Sequence, residues 1–444
     1  MPTVMPSAPN VVVGFADAEA DRVRTIALAG FEQARSRQWP FLSDVLERVL
    51  RGVSVEDGAV VAAVVHALVK YDRLLGFATG SEDAGVRLDA LRAMARRAAE
   101  PGAEPDPLDA RIEAIASRTE RLGVRYSFPD WLVELVEQDA GSDATERALA
   151  RMNELAPRVA RVNPLKATRD ACVAALIAEG VAARPTTHAV DGVVFGGRSS
   201  AFRTQAFARG EFEIQDEASQ MVAELVAPPP GSTIIDACAG AGGKALGLAG
   251  LLAGKGRVVG FDVAAAKLDE LRRRARRAGA SNMQAIAVDL LSPGEALKPF
   301  EGIAARVLVD APCTGLGAIR RNPELRWRLQ PEQVASLAKA QARLLRAAAP
   351  LVAPRGRIIY ATCSFLKREG EAVLESFLAD DPRFARVTAR DVLGRARTEA
   401  IATADGRYLR TWRLDGTPDG GELGMDGFFA GVARFVGTTE PASP

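Results

Sequence analysis

An α/β fold preceded by an all-α region is what the sequence predicts, and three observations carry that prediction. From about residue 211 onward, short runs rich in Val and Ile alternate with helical patterns: "TIIDAC", "RVVGFD", "MQAIAVD", "ARVLVDAP" and "GRIIYATCS". Such alternation predicts a parallel sheet covered by helices on both faces. Residues 17–97, by contrast, place apolar side chains at helical spacing, in "ADRVRTIALAGFEQAR", "FLSDVLERVLRGV" and "DGAVVAAVVHALVKYDRLLGFA". Between the first two strand-like runs lies a glycine-rich turn, "ACAGAGGKA", opening a helix.

Taken in order, the 444 residues divide into several parts. Residues 1–14 form a Pro-rich tail expected to be disordered, and residues 15–155 a helical domain interrupted by a loop at "EPGAEPDPLDA" (100–110). Residues 156–210 change character. They read as a small α/β subdomain with strands at "RVARVNPLK" and "GVVFGG" and a helix at "TRDACVAALIAEG", closed by Gly180. Residues 211–436 form the main α/β domain, where "DGFFAGVARF" adds an edge strand, and 437–444 a second tail. His66 and Cys172 sit on apolar helix faces and read as core residues.

Composition excludes several classes. The N-terminus lacks a basic segment followed by a long apolar one, so no signal peptide is expected. No run of 18 apolar residues predicts a membrane span. The four cysteines are far apart, and with two histidines in the chain no metal site is expected. A reducing, cytoplasmic setting follows. Net charge is near zero but segregated. Residues 1–150 carry 17 Lys and Arg against 24 Asp and Glu, and the remainder 40 against 32. The C-terminal part is therefore the one suited to an anionic partner.

The glycine turn is the first chemical signal. Without Cβ atoms the backbone can approach a ligand, and the helix behind offers unpaired N–H groups. "GAGGKA" satisfies GxGxxA at Gly240, Gly242 and Ala245, whereas a P-loop fails because Cys238 and Ala245 stand where glycine and Ser/Thr are required. The next strand ends in Asp262, placed to accept the hydroxyls of a ribose. The third ends in Asp289 and the fourth in Asp310. These polar residues gather at the carboxyl edge of the predicted sheet, where open α/β folds bind ligands.

Two cysteines close two strands at that edge, Cys313 in "DAPCTGLG" and Cys363 in "YATCSFL". A thiolate there can attack an electron-poor ring carbon. Spacing alone does not say which thiol attacks. The stretch after Cys313 supplies Arg320, Arg321, Arg326 and Arg328 with Trp327, a set suited to phosphates and a stacked base.

With these residues in view, the chain resembles the Nop/Sun family of RNA cytosine-5 methyltransferases. The shared motifs are "QDEAS", "DACAGAGGK", "FDV", "VDLL", "DAPCTGLGAIRRNPELRWR", "YATCSFLKREGE" and "DGFF", across about 155–436. The resemblance implies a Rossmann-like methyltransferase domain with S-adenosylmethionine as donor. The helical part, more faintly, is similar to the NusB-like RNA-binding domain of ribosomal small-subunit methyltransferases, and the small α/β subdomain would also bind RNA. By the same resemblance, Cys363 attacks carbon 6 of cytosine, Cys313 assists loss of the carbon 5 proton and release, and Asp310 holds the base edge. Cys238, Ala239, Gly240, Ala241, Gly242, Gly243, Lys244, Asp262, Asp289 and Asp310 bind the donor, with Lys244 also near the reacting atoms. The expected partner is RNA, ribosomal RNA first and tRNA as the alternative, bound by a monomer without metal or membrane.

Two departures from the family pattern stand out: Ala241 where relatives often have proline, and Lys367-Arg368-Glu369-Gly370-Glu371 where they usually have Glu-Glu-Asn or similar. Other readings explain less. In DNA cytosine-5 methyltransferases the Pro-Cys cysteine is the nucleophile, but Thr-Cys-Ser and the helical region argue against that assignment. An NAD-dependent oxidoreductase would use GxGxxA and Asp262 and leave both cysteines idle. A non-catalytic RNA-binding assembly protein would need a broken donor site.

Overall fold

The computed structural model describes residues 19–99, 106–197, 201–413 and 424–437. They fall into two compact units. One takes the chain up to Leu155 together with Ala318–Val334; the other takes Ala156–Gly317, Ala335–Arg413 and the strand Phe429–Phe435. Both expected tails lie outside the described residues, except for residue 437.

The first unit is helical. Its helices are Glu19–Ser36, Leu42–Val49, Val55–Thr79, Ala84–Ala99, Pro107–Glu113, Arg118–Tyr126, Asp130–Ala140 and Ser142–Arg151. Val55–Thr79 is apolar on most faces, as a central helix must be, and buries Val61, Val64, Val65, Leu68 and Leu75. Ser54 caps its start by accepting from Asp57 N, and Gly80 ends it at φ 62°. The expected loop at 100–110 is shorter than predicted, because Asp106 caps a helix that opens on Pro107. Proline is a turn signal in sequence but is equally at home in a helix's first turn.

In the second unit, an antiparallel sheet of order β2-β3-β1-β4 packs beside the main one. Its strands are β1 (Arg158–Val162), β2 (Ala183–Pro185), β3 (Gly192–Phe195) and β4 (Phe212–Ile214). Pairing of β4 with β1 carries this small sheet past the predicted boundary at 210. Cys172 is buried in its core.

The main sheet contains β5 (Thr233–Asp236), β6 (Arg257–Asp262), β7 (Met283–Ala287), β8 (Ala304–Asp310), β9 (Val352–Thr362), β10 (Phe384–Val387), β11 (Leu409–Arg410) and β12 (Phe429–Phe435). Its order is β10-β12-β9-β8-β5-β6-β7, with β11 paired to β12. β5 to β9 are mutually parallel, as expected. Ile234 and Ile235, like Val258 and Val259, enter separate cores on the two faces.

Two expectations are corrected. β12 is not an edge strand: it runs antiparallel between β9 and β10. Its first five residues are buried on both faces, which only an interior position permits. The edge is β10, whose short "FARV" gave little strand signal. At the other edge, β7 ends at Ala287, so Asp289 lies two residues beyond the strand.

Candidate active site

Parallel pairing fixes the site. Asp310 sits opposite Ala361 and Asp236 opposite Leu308, so β5, β8 and β9 end together. The loops leaving β8 and β9 bring Cys313 Sγ to 3.3 Å from Cys363 Sγ. Both thiols are half-buried and free. Gly317 N donates to Cys363 O at 3.0 Å, and Gly427 N of the "DGFF" turn donates to Gly317 O at 2.8 Å. A Cβ on Gly317 would lie 1.7 Å from Gly427 O, so only glycine allows this closure.

Electrostatics bear on Cys313. Cys313 holds its proton well above the ordinary thiol range, first through its hydrogen bond with Cys363, then through burial and the charges of Cys363 and Glu369. Beside them, Lys244 Nζ pairs with Asp310 Oδ2 at 2.6 Å and lies 4.9 Å from the Phe428 ring centroid. Burial alone would lower the Lys244 pKa, but Asp310 outweighs it and the net shift is upward, so the ammonium persists. Asp236 is pushed up to about 7, by burial first and then by Asp310.

Glu369, given no role by the sequence, organises the Cys313 loop. Fully buried, it accepts from Thr314 N at 2.9 Å and Thr314 Oγ1 at 2.5 Å. Gln341, in the helix Pro331–Ala348, donates from Nε2 to both Glu369 Oε1 and Pro312 O at 2.9 Å. Tyr360 Oη donates to Glu369 O at 2.6 Å. The Glu369 partners Thr314 and Gln341 lie 55 and 28 residues away, too far apart in sequence for this role to be read there.

The donor loop is equally built. Gly240 and Gly242 adopt φ of 53° and 87°. Nothing lies within 4 Å of a Cβ added to Gly240, so the turn faces open space there. The helix Gly243–Leu251 has no side-chain cap, leaving its first N–H groups available. Asp262 accepts from Gly240 N at 2.9 Å and Ala264 N at 2.8 Å, which orients its carboxylate beside the turn. Asp289 is exposed and accepts from Leu291 N at 2.8 Å. These features fit S-adenosylmethionine: an open glycine backbone for its amino-acid part and a carboxylate for its ribose. Burial and the neighbouring carboxylates push the Cys238 thiol far up, so it stays protonated. Two guanidiniums hold the turn from behind. Arg274 Nη1 donates to Ala241 O at 2.8 Å, and Arg161 Nη1 to Gly243 O at 2.7 Å. Glu213 of β4 pairs with Arg274 at 3.0 Å, and Gln215 with Arg161. Ala241 thus sits in a turn stiffened by hydrogen bonds.

The expected RNA-binding loop is corrected. Arg326 is fully buried inside the helical unit, donating from Nη1 to Lys70 O, Ser127 O and Asn153 Oδ1 at 2.9–3.1 Å. Trp327 Nε1 donates to Val69 O at 2.7 Å. Arg320 is buried beside Glu154, and Arg321 is half-buried. Arg328 remains exposed, stacked 3.8 Å from the Phe41 ring centroid. Burial, which sequence does not display, turns most of this basic run into packing. Among the described residues, no group of three His, Cys, Asp or Glu could hold a metal, and no helix is long and apolar enough to cross a membrane.

Comparison with known proteins gives the chain a family. Residues 223–430 match the family described as 16S rRNA methyltransferase RsmB/F, and residues 128–200 match a ferredoxin-like domain of RsmF/B-like proteins. The probable ribosomal RNA small subunit methyltransferase B of Bacillus subtilis is 34% identical over 327 residues, 73% of this chain and 70% of that protein. The chain belongs to the RsmB/F family. The Synechocystis protein of the same description is 38% identical over 260 residues, which cover 58% of each chain. A methyltransferase homolog from Pyrococcus horikoshii shares the fold, with a TM-score of 0.58 and 24% identity over 72% of this chain and all of that one. The methyltransferase fold and S-adenosylmethionine as cofactor thus stand for this RsmB/F member.

Proposed function

We propose that this RsmB/F member methylates carbon 5 of a cytosine in 16S ribosomal RNA through a covalent Cys363 adduct. The observation that carries this reading is the pair of thiols 3.3 Å apart at the ends of two parallel strands, beside the Lys244–Asp310 pair.

Cys363 attacks carbon 6 of the cytosine, and the electron density gained by the ring makes carbon 5 nucleophilic. Asp310 holds the base edge and favours protonation of the ring nitrogen, while Lys244 keeps the Asp310 carboxylate oriented. S-adenosylmethionine, when bound, supplies an electrophilic methyl group. A paired or stacked target base must first leave its stack.

Cys313 acts afterwards, and its environment suits that order. Before attack, its hydrogen bond with Cys363 is the largest cause holding its proton. Once Cys363 has become a neutral thioether, its sulfur is only a weak acceptor and its charge is gone. The Cys313 proton then passes more readily to solvent water, and the thiolate takes the carbon 5 proton while its bonding pair re-forms the carbon 5–carbon 6 double bond. The bond from carbon 6 to sulfur breaks and Cys363 is regenerated.

Denaturing electrophoresis of protein incubated with RNA and S-adenosylmethionine tests the division of labour. Cys363→Ala should transfer no methyl group and leave no adduct. Cys313→Ala should accumulate a stable protein–RNA adduct. An adduct that required Cys313 instead would overturn the assignment. Bisulfite sequencing of RNA from cells lacking the protein identifies the cytosine and separates 16S ribosomal RNA from tRNA.

A further inference from the structure

A groove of about 400 Å³ lies between the helix Ala265–Ala278 and the edge strand β7, and the mechanism does not use it. Its floor is apolar: Leu271, Ala275, Met283 and Ala285. Its rim is cationic. Arg272 and Arg276 line it and are exposed, and no acidic residue does. A third cation overhangs one end. A Cβ on Gly279, which also lines the groove, would lie 2.9 Å from Lys166 Cε and 3.3 Å from its Nζ. Arg272 is engaged by Asp269 and by Ala285 O. Among the described residues, the side chains of Arg276 and Lys166 make no hydrogen bond or ion pair.

Cations near residue 279 have a simpler explanation, because a helix C-terminus attracts them. That explains charge but not an apolar floor left open beneath it. The volume falls in the range of ligand sites, about 300–1,000 Å³. An apolar floor whose lining holds no acidic residue, with two cations at its rim that no carboxylate among the described residues pairs, matches one chemistry: an aromatic ring joined to a phosphate.

We propose that this groove seats one nucleotide of the substrate RNA outside the catalytic centre, its base on the apolar floor and its phosphate against Arg276, Arg272 and Lys166. The inference rests on the reading of the protein as an RNA methyltransferase and adds a second contact to it. Leu271 joins the two regions: it lines the groove, and a Cβ on Gly242 of the donor turn would lie 2.7 Å from its Cγ.

The test uses the full chain, a 16S ribosomal RNA fragment and the exposed variants Arg276→Glu, Lys166→Glu, their combination, and Ser281→Trp, which fills the groove. Charge reversal should weaken RNA binding about tenfold and flatten its salt dependence by roughly one unit of slope per cation removed. KM for RNA should rise while kcat and donor affinity hold. Photocrosslinking with 4-thiouridine RNA should label the Met283 peptide, and Ser281→Trp should abolish the label. Unchanged RNA affinity and salt slope in the double variant, with unchanged thermal unfolding, would overturn the proposal. So would nucleoside monophosphate binding that Arg276→Glu abolishes while RNA affinity stays intact, since the groove would then serve a free nucleotide. Methyl transfer by the unaltered protein is scored separately. Its failure would sink the enzymatic reading, while the affinities and crosslinks would still decide the groove.

Discussion

Glu369 closes on Thr314 from two sides, accepting from its backbone N at 2.9 Å and its hydroxyl at 2.5 Å, one residue from Cys313. Its negative charge also helps keep the Cys313 proton in place. One buried carboxylate therefore holds the loop of the second thiol and adds to what keeps its proton, after the hydrogen bond with Cys363, burial and the Cys363 charge.

Glu369→Gln keeps the shape but turns an amide toward donors on Thr314 and Gln341. Charged hydrogen bonds of this kind contribute about 1.5–3 kcal/mol each, and slight misplacement of a reacting group can cost roughly a hundredfold. We expect kcat to fall about 10- to 100-fold with donor affinity unchanged, and the RNA adduct to accumulate. Removing the charge lowers the Cys313 pKa, so the limb of the pH–rate profile that follows Cys313 should move to lower pH. A loop that was merely loosened would reduce the rate without moving that limb.

The arginines behind the glycine turn act on the donor. Arg274→Ala frees Ala241 O and removes a partner of buried Glu213. Loss of about 1–2 kcal/mol should weaken S-adenosylmethionine binding roughly 5- to 30-fold in calorimetry. At saturating donor, kcat should change by only a few fold, and Arg274→Lys should recover part of the affinity.

Arg326 offers the opposite pattern from an RNA contact. Arg326→Ala leaves buried carbonyls without their donor and empties the space against Phe128, 4.1 Å from the guanidinium. Denaturant unfolding should show a loss of about 2–4 kcal/mol in the helical unit. RNA affinity of the protein that remains folded should be unchanged.

Lys70 is buried and donates to Asn153 O at 2.8 Å. Burial first, then Arg326 and Arg320, lower its pKa to about 7. Unfolding returns it to the ordinary lysine value, so between about pH 7 and 10.4 the unfolded chain binds more protons and stability rises with pH. Lys70→Met should stabilise the helical unit at pH 7 by about 1–4 kcal/mol, and the gain should shrink as pH approaches 10. Thermal unfolding at pH 7, 8.5 and 10 checks the trend. His66, one turn earlier, is held near 4 by burial and then Lys70, so it stays neutral throughout this range.

Much of the site was legible in the sequence, for a geometric reason. Strands that alternate with helices must run parallel, so their carboxyl ends share one edge. Asp262, Asp310, Cys313 and Cys363 each follow such an end, and the edge collects them whatever the loops do. The glycine turn was legible because positive φ and close approach demand glycine. Which thiol attacks was not: spacing treats the two alike, and only the family resemblance assigned Cys363.

What the tertiary structure alone decided was burial and partnership. Sequence shows Arg326 and Arg276 as similar basic residues, yet one is locked inside a helical core and the other borders an open groove. Glu369 stood in the sequence only as part of a departure from the family pattern, but its partners Thr314 and Gln341 meet it from 55 and 28 residues away. The same holds for Arg161, which reaches Gly243 across 82 residues. Periodicity reports which face a side chain takes on its own element. It carries no information about what another element places opposite that face, and there the desolvation and hydrogen bonding that set each group's role are determined.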